Sequence, residues 1–161
     1  MNAAVTVFFL IIKVFSLYFL AVSLFGLCRR RTPEPAARLR RFAVLIAARN
    51  EESCIAGLIE SLRAQHYPPE LVDIWVLPNN CTDRTAEAAR RAGAQVLEMP
   101  ASVRSKGAAL HTAAKALLRS TRNYDAFCVF DADNEADPAF LSEMNRALDR
   151  TAIVKSRILA K

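Results

Sequence analysis

The stretch YDAFCVFDADNEAD, residues 124–137, contains a short apolar run that ends abruptly in acidic residues. A continuous apolar run of this length is typical of a β-strand that is buried on both faces. In open α/β sheets, ligands bind beyond the carboxyl ends of the strands. Alternation along an extended chain predicts that Asp131 and Asp133 point to the same side. Two such carboxylates suit a hard divalent cation that also holds a phosphate group.

The start of the chain is strongly apolar. The 161 residues are 53% hydrophobic, and residues 1–28 carry only one charge, Lys13, in a run long enough for a transmembrane helix. Such a helix needs about 20 residues. We therefore interpret residues 1–28 as a transmembrane anchor, 29–41 as a basic juxtamembrane linker and 42–161 as one domain or part of one.

The net charge of +6 comes from the region beside the apolar segment. Residues 1–41 contain seven Lys and Arg residues and one acidic residue, whereas the rest of the chain has 15 of each sign. A basic cluster in this position marks the cytoplasmic flank of a membrane helix. The four cysteines have no paired spacing, which agrees with a reducing compartment. The sequence therefore predicts a cytoplasmic domain at the cell membrane, and it argues against a nucleic-acid partner.

Apolar runs alternate with helical patterns along the rest of the chain. The predicted strands cover residues 42–48, 71–77, 94–99, 126–130 and 152–159, and the predicted helices begin near residues 55, 85, 107 and 138. This alternation predicts a layered, mainly parallel α/β sheet. No Gly-x-Gly-x-x-Gly pattern follows a strand and no P-loop pattern exists, so the usual dinucleotide and P-loop sites are disfavoured.

Polar clusters follow the predicted strands at residues 49–52, 79–83, 105–107 and 131–133. Each cluster alone has a structural explanation. Glu51 and Glu52 could complement a helix dipole, and residues 79–83 could form a turn with a Thr or Asp cap. The joint position of the clusters at the carboxyl ends of successive strands favours a shared ligand site.

The runs VLIAARNEE, NNCTDRTAEAAR, KGAAL and FDADN, in this order, resemble the amino-terminal half of a family 2 glycosyltransferase. The resemblance covers roughly residues 42–159. It implies the GT-A fold of nucleotide-diphospho-sugar transferases, with a layered, mainly parallel sheet that is incomplete here and preceded by one transmembrane helix. It also implies inverting hexosyl transfer from a UDP-sugar, with Mn²⁺ or Mg²⁺, to an unidentified carbohydrate or lipid-linked acceptor at the cytoplasmic membrane face.

The resemblance also implies roles for particular residues on the nucleoside side of the site. Ala48, Arg49 and Glu51 would line the nucleoside pocket at the end of the first strand. The second strand of the family usually ends in an aspartate that contacts the base. Asn79 occupies that position in this sequence, and its amide could still pair with uracil.

On the diphosphate side, the resemblance implies that Lys106 approaches the base or the diphosphate. Asp131 would contact the ribose or the water shell of the metal, and Asp133 would bind the metal itself. When the bond between the sugar and the diphosphate breaks, negative charge develops on the β-phosphate. A cation held by Asp133 would stabilise that charge as a Lewis acid, and Lys106 could add a further positive contact.

The resemblance implies that the base that deprotonates the acceptor lies further along the chain, beyond Lys161. Glu135 and Asp137 lie too close to the metal motif to be good substitutes for it. Two other hypotheses stay open. One is a truncated, non-catalytic, membrane-tethered module that binds a nucleotide or a partner. The other is a nucleotidyltransferase, although this class normally has a glycine-rich loop after the first strand and residues 47–50 supply none.

Overall fold

The structure, a computed structural model, describes residues 2–27 and 36–156 and divides near residue 34 into two units. In the first unit, α1 covers Ala3–Leu27, and its segment Val5–Leu24 is long and apolar enough to cross a membrane. The predicted amino-terminal helix is therefore confirmed as a helix. Cys28 and most of the predicted linker lie outside the described residues.

The second unit alternates strands and helices. Its elements in chain order are β1 (Phe42–Ala48), α2 (Ile55–Arg63), a 3₁₀ turn (Pro69–Leu71), β2 (Val72–Pro78), α3 (Thr85–Arg91), β3 (Gln95–Val96), α4 (Lys106–Leu118), β4 (Ala126–Asp131) and α5 (Phe140–Ala147). The strands form one parallel sheet in the order β3-β2-β1-β4. The predicted parallel α/β architecture is confirmed.

Strand β1 is the centre of the core. Val44 and Ile46 pack with residues of α2 and α3 on one face of the sheet. Ala43 and Leu45 pack with Leu117 of α4 on the other face. Burial on both faces explains why every residue of this strand is apolar.

Strand β4, which was predicted to be buried on both faces, is not. In the described part of the chain it pairs only with β1, and Val129 is 52% exposed. Phe130, on the opposite face, is 8% exposed and packs in the same core cluster as α2. Helix α4 packs over β1 and β2 and leaves the outer part of β4 uncovered, so only one face of β4 is well buried.

Three predicted elements differ from the structure by two residues or more. The strand expected over 94–99 is only two residues long, Gln95–Val96. The strand expected over 152–159 is wrong for residues 152–156, which form no strand, and its remainder lies outside the described residues. Helix α5 begins two residues later than expected, because the Asp137 carboxylate accepts a hydrogen bond from Ala139 N at 2.8 Å before the helix begins.

The segment just before β1 makes hydrogen bonds and ion pairs with the rest of the second unit. The Arg40 guanidinium pairs with Asp149 at 2.8 Å and donates to the Asn145 carbonyl oxygen at 3.0 Å. The Arg41 guanidinium lies 3.4 Å from the carboxylate of Asp73 on β2. These contacts gather several charges at the amino-terminal edge of the sheet, opposite the strand ends that carry the predicted site.

Candidate functional site at the carboxyl edge of the sheet

The order of the strands makes a topological switch point between β1 and β4, and the space outside their carboxyl ends is termed the crevice. The chain runs from β1 to β2 and β3 on one side, and it then returns to place β4 on the other side of β1. Open α/β sheets bind ligands at such a switch point, outside the carboxyl ends of the strands. Ala47 is paired with Asp131 in the sheet, so the loops that follow these two strands begin side by side.

Hydrogen bonds connect the loop after β1 to the start of α3. Glu51 N donates to Thr85 Oγ1 at 2.9 Å, and Glu52 N donates to Asp83 Oδ2 at 3.1 Å. The other Asp83 oxygen accepts the Thr85 backbone N–H at 3.1 Å and the Thr85 hydroxyl. The hydrogen bond from the Thr85 hydroxyl is the main reason that the pKa of Asp83 is lowered. Asp83 and Thr85 therefore hold Glu51 and Glu52 in place.

These supporting roles were not predicted, although the sequence contains a signal for them. An aspartate two residues before a threonine at a helix start is typical of a side-chain turn to the backbone. Asn50 has a related role, because its Oδ1 accepts the Thr82 backbone N–H at 2.8 Å. Asn50 has a φ of 59°, which asparagine tolerates better than most residues.

Two other residues were predicted to line the site at the end of β1: Ala48, which is buried, and Arg49, which is exposed. The Ala48 side chain is buried in the core, and its carbonyl oxygen accepts Asn79 N at 3.0 Å. The Arg49 side chain is exposed, and it makes no hydrogen bond or ion pair with any residue in 2–27 or 36–156. Arg49 is therefore an available cation beside the crevice.

Asn79 and Asn80 form a short chain of hydrogen bonds at the end of β2. Asn80 Nδ2 donates to Asn79 Oδ1 at 2.8 Å and to the Val103 carbonyl oxygen at 2.8 Å. The Asn79 residue is only 7% exposed. Asn80 thus connects the end of β2 to the loop that precedes α4.

Lys106 and Asp131, both predicted site residues, meet as an ion pair. Lys106 is the first residue of α4, whose start is capped by the Ser105 hydroxyl oxygen accepting Ala108 N at 3.2 Å. Asp131 is the last residue of β4. Both side chains remain about half exposed, so a ligand in the crevice can reach them.

Asp133 lies in the turn after β4, and its side chain is exposed like that of Asp131, whereas Ala132 between them is buried. Because β4 ends at Asp131, alternation along the strand does not determine where the Asp133 carboxylate points.

Cys54, which was not predicted, lies between the two loops. Its Sγ donates to Glu51 Oε2 at 3.0 Å. Burial, this hydrogen bond and the negative charges of Glu51 and Asp133 raise the pKa of Cys54 to about 11. The influence of Asp133 indicates that the loop after β4 lies near the loop after β1.

The acidic residues of the crevice offer a partial set of metal ligands. Within residues 2–27 and 36–156, no group of three or more His, Cys, Asp or Glu side chains is arranged to hold a metal ion. Asp131 and Asp133 supply exposed carboxylates, and Mg²⁺ is commonly bound by one or two carboxylates together with waters and substrate phosphates. The donor set therefore fits a hard cation that binds together with a diphosphate.

Comparison with protein families gives a match over most of the chain. The model of the family described as "Glycosyl transferase family 2" matches residues 43–160. Similar proteins include the probable glycosyltransferase YdaM of Bacillus subtilis, 28% identical over 108 residues, and a beta-monoglucosyldiacylglycerol synthase of Synechocystis, 30% identical over 92 residues. The alignments cover 63% and 56% of this chain but only 24% and 19% of those relatives. The chain thus spans less than a quarter of their length.

Solved structures share the fold of the second unit. A mannosyltransferase from Pyrobaculum calidifontis, in complex with GDP-Man and Mn²⁺, matches with a TM-score of 0.64 and 22% identity, over 84% of this chain and 40% of that chain. S. aureus TarS 1–349 matches with a TM-score of 0.57 and 21% identity, over 68% of this chain and 32% of that chain. These similarities show that the fold is that of the GT-A glycosyltransferases.

Proposed function

The chain belongs to glycosyl transferase family 2, and we propose that its second unit binds a UDP-sugar donor for metal-dependent, inverting transfer of a hexosyl group. The observation that carries this proposal is the meeting of Lys106 and Asp131 at the switch point, with Asp133 in the adjoining turn. A cation and two carboxylates at this point suit a nucleoside diphosphate that binds with a metal ion.

Lys106, Asp131 and Asp133 would act on the diphosphate. Asp133 would bind the metal directly. Asp131 would bind the metal directly or through a water molecule of the metal's shell. The bound metal would supply Lewis-acid stabilisation to the leaving diphosphate. The Lys106 ammonium is placed to move from Asp131 to a phosphate oxygen, where it would stabilise the charge that develops as the sugar–oxygen bond breaks.

Residues on the β1–β2 side of the crevice would bind the nucleoside. Arg49 is exposed and free of protein partners among the described residues, so it can contact an anionic or polar group of the donor. Glu51 is held by Thr85 and Cys54, which orient its backbone and its carboxylate respectively. Asn79 lies beside them, and Ala48 would contribute through its backbone.

Transfer also requires a base that takes the proton of the acceptor hydroxyl. We assign this role to neither of the nearby acidic candidates named from the sequence. Asp137 accepts the Ala139 N–H at 2.8 Å and so organises the start of α5. Glu135 lies two residues from Asp133, too close to the proposed metal to meet an acceptor on the opposite side of the sugar.

We further propose that α1 anchors the chain in a membrane, with the second unit on the cytoplasmic face. The apolar segment Val5–Leu24 and the basic residues that follow it in the sequence support this arrangement. One similar protein is, by its name, a synthase of a glucosylated diacylglycerol, and this supports a lipid-linked acceptor.

Calorimetric titration of the full chain in detergent micelles tests the proposal. We expect UDP to bind with Mn²⁺ present and to bind at least tenfold more weakly with EDTA, a loss of about 1.4 kcal/mol. Asp133→Asn should abolish the effect of Mn²⁺. Glu60→Gln, which changes an exposed carboxylate on α2, should retain it. The proposal fails if UDP does not bind, or if Asp133→Asn leaves the metal dependence intact.

A further inference from the structure

Lys106 lies where the energetics of a helix disfavour a cation. It is the first residue of α4, and the first turn of this helix contains no acidic residue. The dipole of a helix repels a positive charge at its amino-terminal end. The stability of α4 therefore does not explain this lysine. The feature that does is its ion pair with Asp131, at the end of β4.

The ion pair between Lys106 and Asp131 can be broken without unfolding the second unit. The two side chains are 47% and 59% exposed, and exposed ion pairs contribute little to stability. Helix α4 is held on the sheet by its buried residues Ala113 and Leu117, which pack in one core cluster with residues of β1. The ammonium is thus free to leave Asp131 when a stronger anionic partner is present.

The same carboxylate is one of the two that we assign to the metal. Asp131 cannot hold the Lys106 ammonium and a divalent cation at the same place, because the two cations repel each other. A diphosphate carries more negative charge than one carboxylate, so it attracts the ammonium away from Asp131. Binding of a nucleotide therefore changes which cation Asp131 can hold.

We propose that Lys106 occupies the place of the metal on Asp131, and that a nucleoside diphosphate opens this place by drawing the ammonium to its phosphate oxygens. This inference rests on the proposed function, because it requires a diphosphate in the crevice. It gives Lys106 a second role, as the residue that couples the two ligands. Nucleotide and metal then each raise the affinity for the other by the same factor.

The inference makes a prediction that a simple phosphate contact does not. Lys106→Met removes the phosphate contact and the competing cation together, so UDP should bind more weakly while Mn²⁺ binds more tightly in the absence of UDP. A lysine that only contacted the diphosphate would leave the affinity for Mn²⁺ alone unchanged. Coupling between UDP and Mn²⁺ in the wild type is not sufficient evidence, because phosphate oxygens are themselves metal ligands.

Electron paramagnetic resonance of free Mn²⁺ tests this inference on the full chain in detergent, titrated with Mn²⁺ in the absence of UDP. We expect Lys106→Met to bind Mn²⁺ about fivefold or more tightly than the wild type, the lower end of the coupling typical between two sites. Arg104→Met is the matched control. Arg104 is exposed, lies two residues before Lys106, and makes no hydrogen bond or ion pair with the residues that the structure describes. Its loss removes the same charge without freeing Asp131, so this variant should bind Mn²⁺ like the wild type.

Two outcomes would overturn the inference and leave the proposed function standing. The first is equal affinity of the wild type and Lys106→Met for Mn²⁺ without UDP, which includes no detectable binding by either. The second is an equal gain of affinity in Arg104→Met, which would assign the effect to net charge. If the wild type binds no Mn²⁺ even with UDP present, the proposed function itself fails, and this inference fails with it.

Discussion

The two edges of the sheet differ in how completely their polar groups are paired. At the amino-terminal edge, Asp73 is bonded to Arg41, Arg122 and Gln95, and its side chain is only 12% exposed. At the carboxyl edge, the side chains of Arg49 and Asp133 form no ion pair within the described ranges. Both edges come from the same strands, so strand packing does not explain the difference.

Because of this difference, we call the amino-terminal edge the structural edge and the carboxyl edge the binding edge. Paired polar groups at the amino-terminal edge hold the segment before β1, the start of β2 and α5 together. Exposed groups without protein partners at the carboxyl edge are hydrated in the empty domain and are available to pair with a ligand. Substitutions at the first edge should therefore change stability, and those at the second should change nucleotide affinity.

The largest expected effect is on binding. Lys106→Met removes the ammonium that we assign to the diphosphate, and a charge-assisted hydrogen bond of this kind contributes about 1.5–3 kcal/mol, so UDP affinity should fall at least tenfold. The matched control is Lys115→Met, at an exposed lysine on the same helix, which should bind UDP like the wild type. Calorimetric titration with Mn²⁺ measures both, and equal affinities would remove Lys106 from the site.

At the structural edge, Asn145→Ala should lower the free energy of unfolding by about 1–3 kcal/mol, because it removes two hydrogen bonds that a buried side chain makes. Asn145 is 1% exposed, its Nδ2 donates to the Arg38 carbonyl oxygen at 2.8 Å, and its Oδ1 accepts from the Arg40 guanidinium at 3.3 Å. Denaturant unfolding measures the change. A folded Asn145→Ala protein with weakened UDP binding would contradict the division between the two edges.

Thr85→Val tests a residue at the start of α3 that holds the loop after β1 at the binding edge. Thr85 is fully buried, and its hydroxyl oxygen accepts the Glu51 backbone N–H at 2.9 Å. Valine keeps the shape but leaves that N–H without a partner, at a cost of about 1–2 kcal/mol. We expect both stability and UDP affinity to fall modestly. An unchanged affinity in the folded variant would mean that the position of Glu51 does not matter for the donor.

The smallest expected effect concerns pH. Burial and the carboxylates of Glu51 and Asp133 raise the pKa of Cys54 from its ordinary 9.0 to about 11. Between these values the folded chain keeps the thiol proton and the unfolded chain loses it, so stability falls as pH rises from 9 to 11. Below pH 9 the thiol makes no such contribution, because both states are protonated.

Cys54→Ala should therefore lose less stability than the wild type when the pH is raised across this range in EDTA. Cys81→Ala serves as the comparison, since that thiol lies in the loop after β2 and its removal leaves Cys54 in place. Urea unfolding at several pH values provides the measurement. If the free energy of unfolding falls equally with pH in the wild type and in Cys54→Ala, the pKa of the Cys54 thiol is not raised.

The sequence predicted the strands of the core and the edge that carries the site. Phe42–Ala48 was predicted to the residue because burial on both faces leaves a continuous apolar run. The same rule wrongly predicted that β4 is buried on both faces. Apolar residues also occur on a partly covered face, and the apolar run of β4 does not reveal which elements pack against it. Local patterns also missed the start of α5, where the Asp137 carboxylate and not Pro138 determines the first turn.

The sequence was less informative about how the site is supported. The ordered motifs predicted that Lys106 and Asp131 belong to one site, and in the structure the two side chains form an ion pair. The hydrogen bond from Asn80 to Val103 and the influence of Asp133 on Cys54 join residues far apart in the chain, so spacing alone could not reveal them. The metal role of Asp133 stays a prediction.

Electron paramagnetic resonance of Mn²⁺ provides the most direct test of the carboxyl edge as a binding edge. Free Mn²⁺ gives a sharp spectrum that is lost when the ion binds to a macromolecule. We predict that the full chain in detergent, with UDP present, removes one equivalent of free Mn²⁺, and that Asp133→Asn removes much less under the same conditions. If the wild type leaves Mn²⁺ free, or if Asp133→Asn binds it equally well, the assignment of this edge to a metal-bound nucleotide is wrong.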